Sequence, residues 1–308
     1  MPAEAHERDG LKPYPLTKNN QTSRDMRAEL QHKIDRAIKL LRSIPLQEGE
    51  AVEVSYSGGK DSDVILQLTK EAGIKYRAIY KNTTIDPPGT AAHARAMGAE
   101  VLMPKHTFFE LAAKNSLPSR WSRYCCRFLK EYAVLPRSIQ GIRRSESTKR
   151  SERYKEPEEC RNYGKGQKVR VYLPILDWTD EDVTEFIADR GVQCHPLYYT
   201  DGVFHVERRL GCMGCPLASK RKRLEQFKEH PNLVKAYVRS AQRYINTHPE
   251  GKTAQKFKDG YELFVFSAFY EHRYDSFRLA MSGVVGGGNC KTLLEDCFGI
   301  RFNESIML

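Results

Sequence analysis

No apolar run among the 308 residues approaches the ~20 that a membrane-spanning helix needs, so no partnership with a bilayer is expected. The opening MPAEAHERDG is polar and holds no apolar stretch of the kind that marks a secretory leader. No internal repeat is visible, which excludes a solenoid or propeller. The spacing GxxxxGKS/T is missing too, so any phosphate loop here is not a Walker loop. These absences predict a cytoplasmic chain whose thiols stay reduced. Its eight cysteines are then better candidates for metal or sulfur chemistry than for a disulfide framework.

What is present is an uneven positive charge. The chain carries a formal +11, yet residues 1–50 hold nine Lys/Arg against eight Asp/Glu. Residues 114–153 hold eleven against three, and residues 207–260 thirteen against five. Either basic window alone reads as a solvated surface. Two of them, each beside a cysteine motif, favour an anionic ligand: a nucleotide, a nucleic acid, or both.

Residues 1–22 are polar and read as a loose tail, and RAELQHKIDRAIKLLRSI (27–44) has apolar residues at helical spacing. AVEVSYS (51–57) reads as a strand and DSDVILQLTKEAG (61–73) as a helix closed by Gly73. YRAIYK (76–81), TAAHARAMG (90–98) and EVLMP (100–104) continue as strand, helix and strand. A helix near CRFLKEYAV (126–134), a short strand ending in GIRR (141–144) and a mobile loop over 145–168 follow. VRVYLPIL (169–176) reads as a buried strand. TDEDVTEFIADRG (179–191) is a helix with a Thr cap, an acidic first turn and a terminal Gly. The rest reads as mostly helical to about residue 281. This alternation predicts an α/β fold, a mostly parallel sheet with helices on both faces and a helical C-terminal extension. The expected boundaries are 1–48 for tail and leading helix, 49–219 for a nucleotide-binding domain holding the cysteine motifs, and 220–308 for the basic helical extension.

SYSGGKDS (55–62) stands between the first strand and its helix. The backbone N–H groups of such a turn converge with the helix N-terminus on an oxyanion. Gly58 and Gly59 let the backbone come close, Ser57 and Ser62 offer hydroxyls, and Lys60 offers a positive charge. Asp61 either caps the helix or sits near a phosphate-bound Mg²⁺. A glycine turn by itself would be an ordinary strand–helix connection. SGGKDS, however, resembles the PP-loop of ATP pyrophosphatases, which implies cleavage of ATP between its α- and β-phosphates and adenylation of a substrate.

Cys125 and Cys126 are adjacent in RYCCRFLK, and Cys212 and Cys215 form a CxxC in LGCMGCPL. A CxxC loop folds two thiolates towards one metal centre. Adjacent side chains diverge, which a multi-iron cluster tolerates better than a single tetrahedral ion, because each thiolate can bind a different iron. Four such ligands favour a 4Fe–4S cluster, with Zn²⁺ as the alternative. Buried core cysteines are the bland reading of the pair; flanking Arg120, Arg123 and Arg127 and the distant CxxC weaken it.

A tandem CC followed by a remote CxxC is similar to the cluster pattern of assimilatory adenylylsulfate reductases. TTIDPP (83–88), GIRRSES (141–147), LPILDWTDEDV (173–183) and HPLYYTDG (195–202) extend the resemblance. Over about residues 51–220 the chain resembles the PAPS reductase family of the adenine nucleotide α-hydrolase-like superfamily. The resemblance implies a Rossmann-like sheet with an adenine nucleotide across its C-terminal edge and a cluster near the phosphates.

Two departures bear on the activity. By resemblance, reductases of sulfonucleotides lack the lysine and aspartate of SGGKDS and carry a nucleophilic cysteine in an ECGLH-like terminal segment. Here the loop is intact, and NCKTLLEDCFGI (289–300) is a different sequence. Family members with an intact loop and a cluster include proteins of DNA phosphorothioation, and more remote ones thiolate tRNA. The resemblance therefore implies ATP-dependent adenylation serving sulfur transfer, with DNA or tRNA as candidate acceptor. A cysteine desulfurase or a thiol reductant would supply sulfur or electrons. The interleaved aromatics of KRKRLEQFKEHPNLVKAYVRSAQRY (220–244) fit a nucleic acid and equally an ordinary helical cap. Two rivals remain: a thiol-dependent sulfonucleotide reductase that releases sulfite, and a non-catalytic binding module with a structural cluster.

Among other residues, Arg143 and Arg144 follow a short strand, where a guanidinium can clamp phosphate. With Lys60 and Asp61, Arg143 completes the expected catalytic set. Asp86 follows the second strand, where ribose or adenine contacts lie, with a turn-forming Asp before Pro87 as the competing reading. Trp178, beside Asp177, reads as a buried anchor. Cys160, Cys194, Cys290 and Cys297 carry no local cue that selects any of them, and His93 and His195 have no partner visible in the sequence.

Overall fold

The computed structural model describes residues 20–163, 166–271, 273–282 and 289–303, with side chains from residue 27 onward. Most of the expected loose tail lies outside them. The chain divides into two compact units.

The first unit comprises Met1–Ala78, Pro136–Arg161 and Arg170–Leu210. Helix α1 (Asn20–Arg42) buries Leu30, Ile34, Ala37 and Leu41, one apolar side chain per turn, and packs on α2 (Lys60–Ala72). Strand β1 (Val52–Tyr56) is buried almost along its whole length, as a strand covered on both faces must be. It pairs in parallel with β4 (Arg137–Ile139), Glu53 opposite Ser138 and Val54 opposite Ile139. In turn, β4 pairs in parallel with β6 (Gln167–Tyr172), Arg137 opposite Arg170. The strand order through this unit is β2-β1-β4-β6-β5, with β2 (Tyr76–Lys81) and β5 (Glu158–Tyr163) outermost.

Helix α7 (Asp180–Arg190) starts from a capping box between Thr179 and Asp182, ends at a left-handed Gly191 and packs on α2. Trp178 anchors it, 2% exposed, with its ring 5.4 Å from that of Phe186. Lys33 of α1 reaches Asp182 of α7 at 2.8 Å.

The second unit comprises Ile79–Leu135, Asn162–Val169 and Gly211–Leu308. The end of β2 pairs in parallel with β3 (Glu100–Leu102), Ile79 opposite Glu100. Between and after them lie α3 (Thr90–Ala96), α4 (Phe108–Asn115) and α5 (Tyr124–Leu129). The C-terminal part is helical: α8 (Lys220–Glu229), α9 (Pro231–Thr247), α10 (Gly260–Val265), α11 (Tyr274–Ser282) and α12 (Cys290–Phe298). Val234, Tyr237, Val238 and Ala241 give α9 a buried stripe, and α9 packs on α4 and α10. The core here is aromatic. Phe227 stands 5.5 Å from Tyr237 and 5.3 Å from Phe264, ring centre to ring centre, in edge contacts.

The segment 145–168 is not a loop throughout. It contains α6 (Thr148–Arg153) and β5, whose residues are exposed and half-buried in alternation. An edge strand has no run of core residues to reveal it, which is why EECRNY reads as loop. The strand expected to end in GIRR stops earlier, at Ile139.

Phe227 is 1% exposed at the centre of the aromatic core. Phe227→Ala should lower unfolding stability by about 3–5 kcal/mol in urea titrations, since its neighbours cannot collapse into the void. A loss below about 1 kcal/mol would contradict this packing.

Candidate nucleotide pocket and cysteine site

In the first unit β1 ends at Tyr56 and α2 begins at Lys60, so three residues must turn the chain. Gly58 does so at φ +77°, a left-handed conformation that side chains resist. Gly59 is the N-cap residue, and its carbonyl accepts the Ser62 N–H at 2.8 Å and the Ser62 hydroxyl at 2.6 Å. The Ser57 hydroxyl lies 3.2 Å from that of Ser62. A cavity of about 310 Å³ opens over this turn, lined by Ser57, Gly59, Lys60, Asp61 and Ser62. Gly141, Ile142, Glu146 and Arg150 line it from beyond β4, and Tyr198, Arg209 and Leu210 complete it.

Lys60 has a side chain only 4% exposed, with Nζ 3.1 Å from Asp61 Oδ2 and 5.7 Å from the centre of the Tyr198 ring. The other Asp61 oxygen accepts Arg143 Nε at 2.7 Å. Arg143 is buried, and it also donates to Asp180 Oδ1 at 2.7 Å and to the Ser145 hydroxyl at 3.0 Å. It braces Asp61 from behind and is not among the cavity-lining residues. Arg144 turns elsewhere, donating to the Tyr154 carbonyl at 2.7 Å and pairing with Asp177.

Beneath the loop, the fully buried Asp63 accepts a hydrogen bond from Tyr56. The Cys194 thiol bonds the same carboxylate, and burial with that negative neighbour raises its pKa. The Tyr198 hydroxyl is pushed up to about 12, chiefly by burial, and accepts N–H groups from Lys60 and Leu210.

Sequence reasoning gave no role to Glu146, Arg150, Tyr198 or Arg209. Glu146 pairs with both Arg150 and Arg209 and accepts the Arg143 N–H at 3.2 Å. Arg150 is held below the ordinary guanidinium value by burial first and by neighbouring Arg209 next. Such crowding of cations suits an anion. Tyr198 and Arg209 reach the loop only through the fold, while Glu146 and Arg150, four residues apart, lie in a stretch that reads as loop.

In the second unit Cys125 and Cys126 occupy the first turn of α5, and Cys212 and Cys215 the loop before α8. That loop is pinned. Met213 N–H donates to the Ile85 carbonyl at 2.8 Å, Tyr237 to the Met213 carbonyl at 3.0 Å, and Gly214 N–H to Gln226 at 3.0 Å. The Cys212 thiol points at Thr83 Oγ1, 3.4 Å away, and Asp86 Oδ1, 3.6 Å away. Asp86 in turn accepts the Tyr80 hydroxyl at 2.6 Å and the Thr83 N–H at 2.9 Å.

Lys130 is raised by Cys212 first, then by Asp86 and Cys126, while burial pushes the Cys212 thiol itself up. The Cys125 thiol is raised by its bond to Cys126 first, and Cys212 and Cys215 add to the effect. Cys126 falls to about 6 because Cys125 donates to it, with Lys130 and Arg123 assisting. The four thiols thus act on one another. Among the described residues no group of three or more His, Cys, Asp or Glu is arranged to hold a metal ion.

All eight cysteines are free thiols. Cys290 is buried with Met281 sulfur 3.3 Å away, while Cys160 and Cys297 are exposed. His195 Nδ1 accepts the Leu197 N–H at 3.2 Å, capping the turn before Tyr199. No helix of the described residues is long and apolar enough to cross a membrane.

The profile of the phosphoadenosine phosphosulfate reductase domain matches residues 51–218, more than half of the chain, and the chain belongs to that family. It is 27% identical over 235 residues to an uncharacterized protein of Methanocaldococcus jannaschii, covering 72% of this chain and 55% of that one. It is 31% identical over 159 residues to an uncharacterized 37.8 kDa protein of Escherichia phage 186, covering 47% and 45%. The chain thus spans about half the length of the curated relatives it matches. Among solved structures it is similar to the U34-tRNA thiolase NcsA from Methanococcus maripaludis with its 4Fe–4S cluster. That likeness has 15% identity, 73% of this chain, 80% of that chain and a TM-score of 0.39, too weak to transfer chemistry.

A Cβ at Gly141 would stand 2.7 Å from the Asp61 carbonyl oxygen. Gly141→Ala should displace the first turn of α2 and cost about 1–3 kcal/mol of stability. Hydrogen exchange at Lys60–Ser62 should accelerate at the same time. Unchanged exchange there would show that the contact is not a constraint on the loop.

Proposed function

We propose that this chain is an ATP-dependent adenylating enzyme of its family that serves sulfur transfer, with a nucleic acid as acceptor. The observation that carries this reading is the cavity over the intact SGGKDS loop, into which Lys60, Arg150 and Arg209 face. ATP, brought with Mg²⁺, places its pyrophosphate there. An acceptor oxygen attacks the α-phosphorus, the α–β bond breaks, and pyrophosphate leaves while AMP stays on the acceptor.

Ser57, Gly58, Gly59 and Ser62 shape the cradle, and Lys60 stabilises the charge that grows on the departing group. Asp61, fixed by Lys60 and Arg143, keeps Lys60 aimed at it. The adenylated oxygen is then a good leaving group for a sulfur nucleophile.

Cys125, Cys126, Cys212 and Cys215, four free thiols of one unit, supply the donor chemistry of an iron–sulfur cluster, with Zn²⁺ as the alternative. When bound, a cluster offers sulfur and an iron site at which sulfur can be held. Thr83 and Asp86 hold the Cys212 thiol in place, and Lys130 favours its thiolate against burial and Asp86, which push its pKa up. A second reading, reduction of a sulfonucleotide with release of sulfite, is supported by the family that the chain belongs to.

Anaerobically purified protein with Mg-ATP and DNA or RNA should release pyrophosphate and leave AMP on the nucleic acid, and Lys60→Ala should cut the rate by about 10²–10³. Sulfite from adenylylsulfate or its 3′-phosphate with a thiol would establish the second reading. Bound nucleotide without turnover of either kind would leave a binding module.

A further inference from the structure

Tyr198 is 2% exposed, yet it lines the cavity over the SGGKDS loop. It ends the short helical turn Pro196–Tyr198, which His195 caps. Its backbone is held on both sides: the N–H donates to the His195 carbonyl at 2.9 Å, and the carbonyl accepts the His205 N–H at 2.8 Å. The ring packs on that of Phe204, 5.9 Å between centres. A side chain fixed in this way presents its hydroxyl at one place.

That place is the start of α2. The hydroxyl oxygen accepts the Lys60 N–H, and it accepts the Leu210 N–H at 3.3 Å. A Cβ at Gly59 would stand 3.2 Å from the same oxygen, although the Gly59 backbone is ordinary at φ −88° and ψ 156°. Glycine is needed there for the approach of the hydroxyl, not for a turn. Gly59, Lys60 and Leu210 all line the cavity. Two N–H groups thus occupy the oxygen, while among the described residues none accepts its own proton. A hydroxyl that accepts such bonds becomes a stronger donor. Burial first, with the charges of Asp61 and Asp63 adding to it, keeps the phenol protonated, and Lys60 Nζ lies 5.7 Å from the ring centre. A buried donor left over in a cavity lined by Lys60, Arg150 and Arg209 suits an oxyanion.

We propose that Tyr198 is a catalytic residue of the adenylation, its O–H donating a hydrogen bond to an oxygen of the departing pyrophosphate. The bond strengthens as the α–β bond breaks and its electron pair passes to the leaving group. No proton is transferred: pyrophosphate departs and the phenol keeps its hydrogen. This role rests on the adenylating reading. Because pyrophosphate carries the full charge of the leaving group and ATP only part of it, the contact favours the product anion and the transition state over bound ATP.

Calorimetric titration of the full chain with Mg-pyrophosphate tests the contact without turnover. The unmodified chain should bind it, and Tyr198→Phe, which keeps the ring, should weaken it about tenfold or more. In the adenylation assay Tyr198→Phe should lower kcat about tenfold to a hundredfold and change KM for ATP far less. A second variant separates donation from support of the loop. 3,5-Difluorotyrosine at position 198 keeps the hydroxyl and both N–H groups that it accepts, but its phenol ionises at a lower pH. Pyrophosphate binding should then fall as pH rises through that ionisation, because a phenolate cannot donate, while the unmodified chain holds its affinity over the same range. Equal pyrophosphate affinity of Tyr198→Phe, or an unchanged pH profile of the fluorinated chain, would overturn the role of Tyr198 and leave the adenylating reading intact. Failure of the unmodified chain to bind Mg-pyrophosphate would overturn both.

Discussion

The buried clasp on Asp61 is the constraint on which the nucleotide pocket depends. One carboxylate oxygen takes Lys60 and the other takes Arg143, at 3.1 and 2.7 Å. Removing either cation from water would be costly without that shared counter-ion. The clasp also sets geometry. Arg143 reaches back to Asp180 at the start of α7, so the first turn of α2 is tied to a second helix. The loop that faces the cavity is therefore rigid for an electrostatic reason as well as a steric one. The fixed arrangement of donors is what electrostatic stabilisation of a departing anion would require.

The cysteine site follows a different logic. Its sulfurs are not surrounded by a tight cage of ligands but by groups that respond to their charge. Lys130 favours the thiolate of Cys212 while burial and Asp86 oppose it, and Cys125 donates to Cys126. Asp86 binds Tyr80 and the Thr83 amide on one oxygen and faces the Cys212 thiol with the other. That carboxylate had two readings in the sequence, a nucleotide contact or a turn. The turn is present, and the carboxylate is additionally a neighbour of sulfur, a relation that no sequence spacing could reveal across 126 residues.

What was legible in the sequence was whatever has a local signature. The β1–turn–α2 unit announced itself through its apolar run, its glycines and the stop at Gly73. Helix α7 was visible through Thr179 and three acidic residues in its first turn. Helix α4 also has a capping box, Thr107 with Glu110, but at eight residues it is too short to show a persuasive apolar period. Strand β5 has half-buried residues only on alternate positions and so lacks the pattern of a core strand. In the pocket, the loop residues could be named, whereas Arg150 and Arg209 could not. They are brought to Glu146 from four residues away in one case and 63 in the other.

The two basic windows show why net charge is a poor guide to a surface. In the window 207–260, at least three of the thirteen Lys/Arg bond within the fold. Arg208 holds the Leu197 and Tyr199 carbonyls, Arg209 meets Glu146, and Arg223 is 1% exposed against Glu271. These three side chains satisfy turns and carboxylates, whereas Arg221 on α8 is 90% exposed. In the window 114–153 some cations are internal as well, Arg143 above all. Arg123 and Arg127 are exposed instead. That distinction, between positive charge consumed by the fold and positive charge held outward by it, decides how much of a basic composition a ligand can meet.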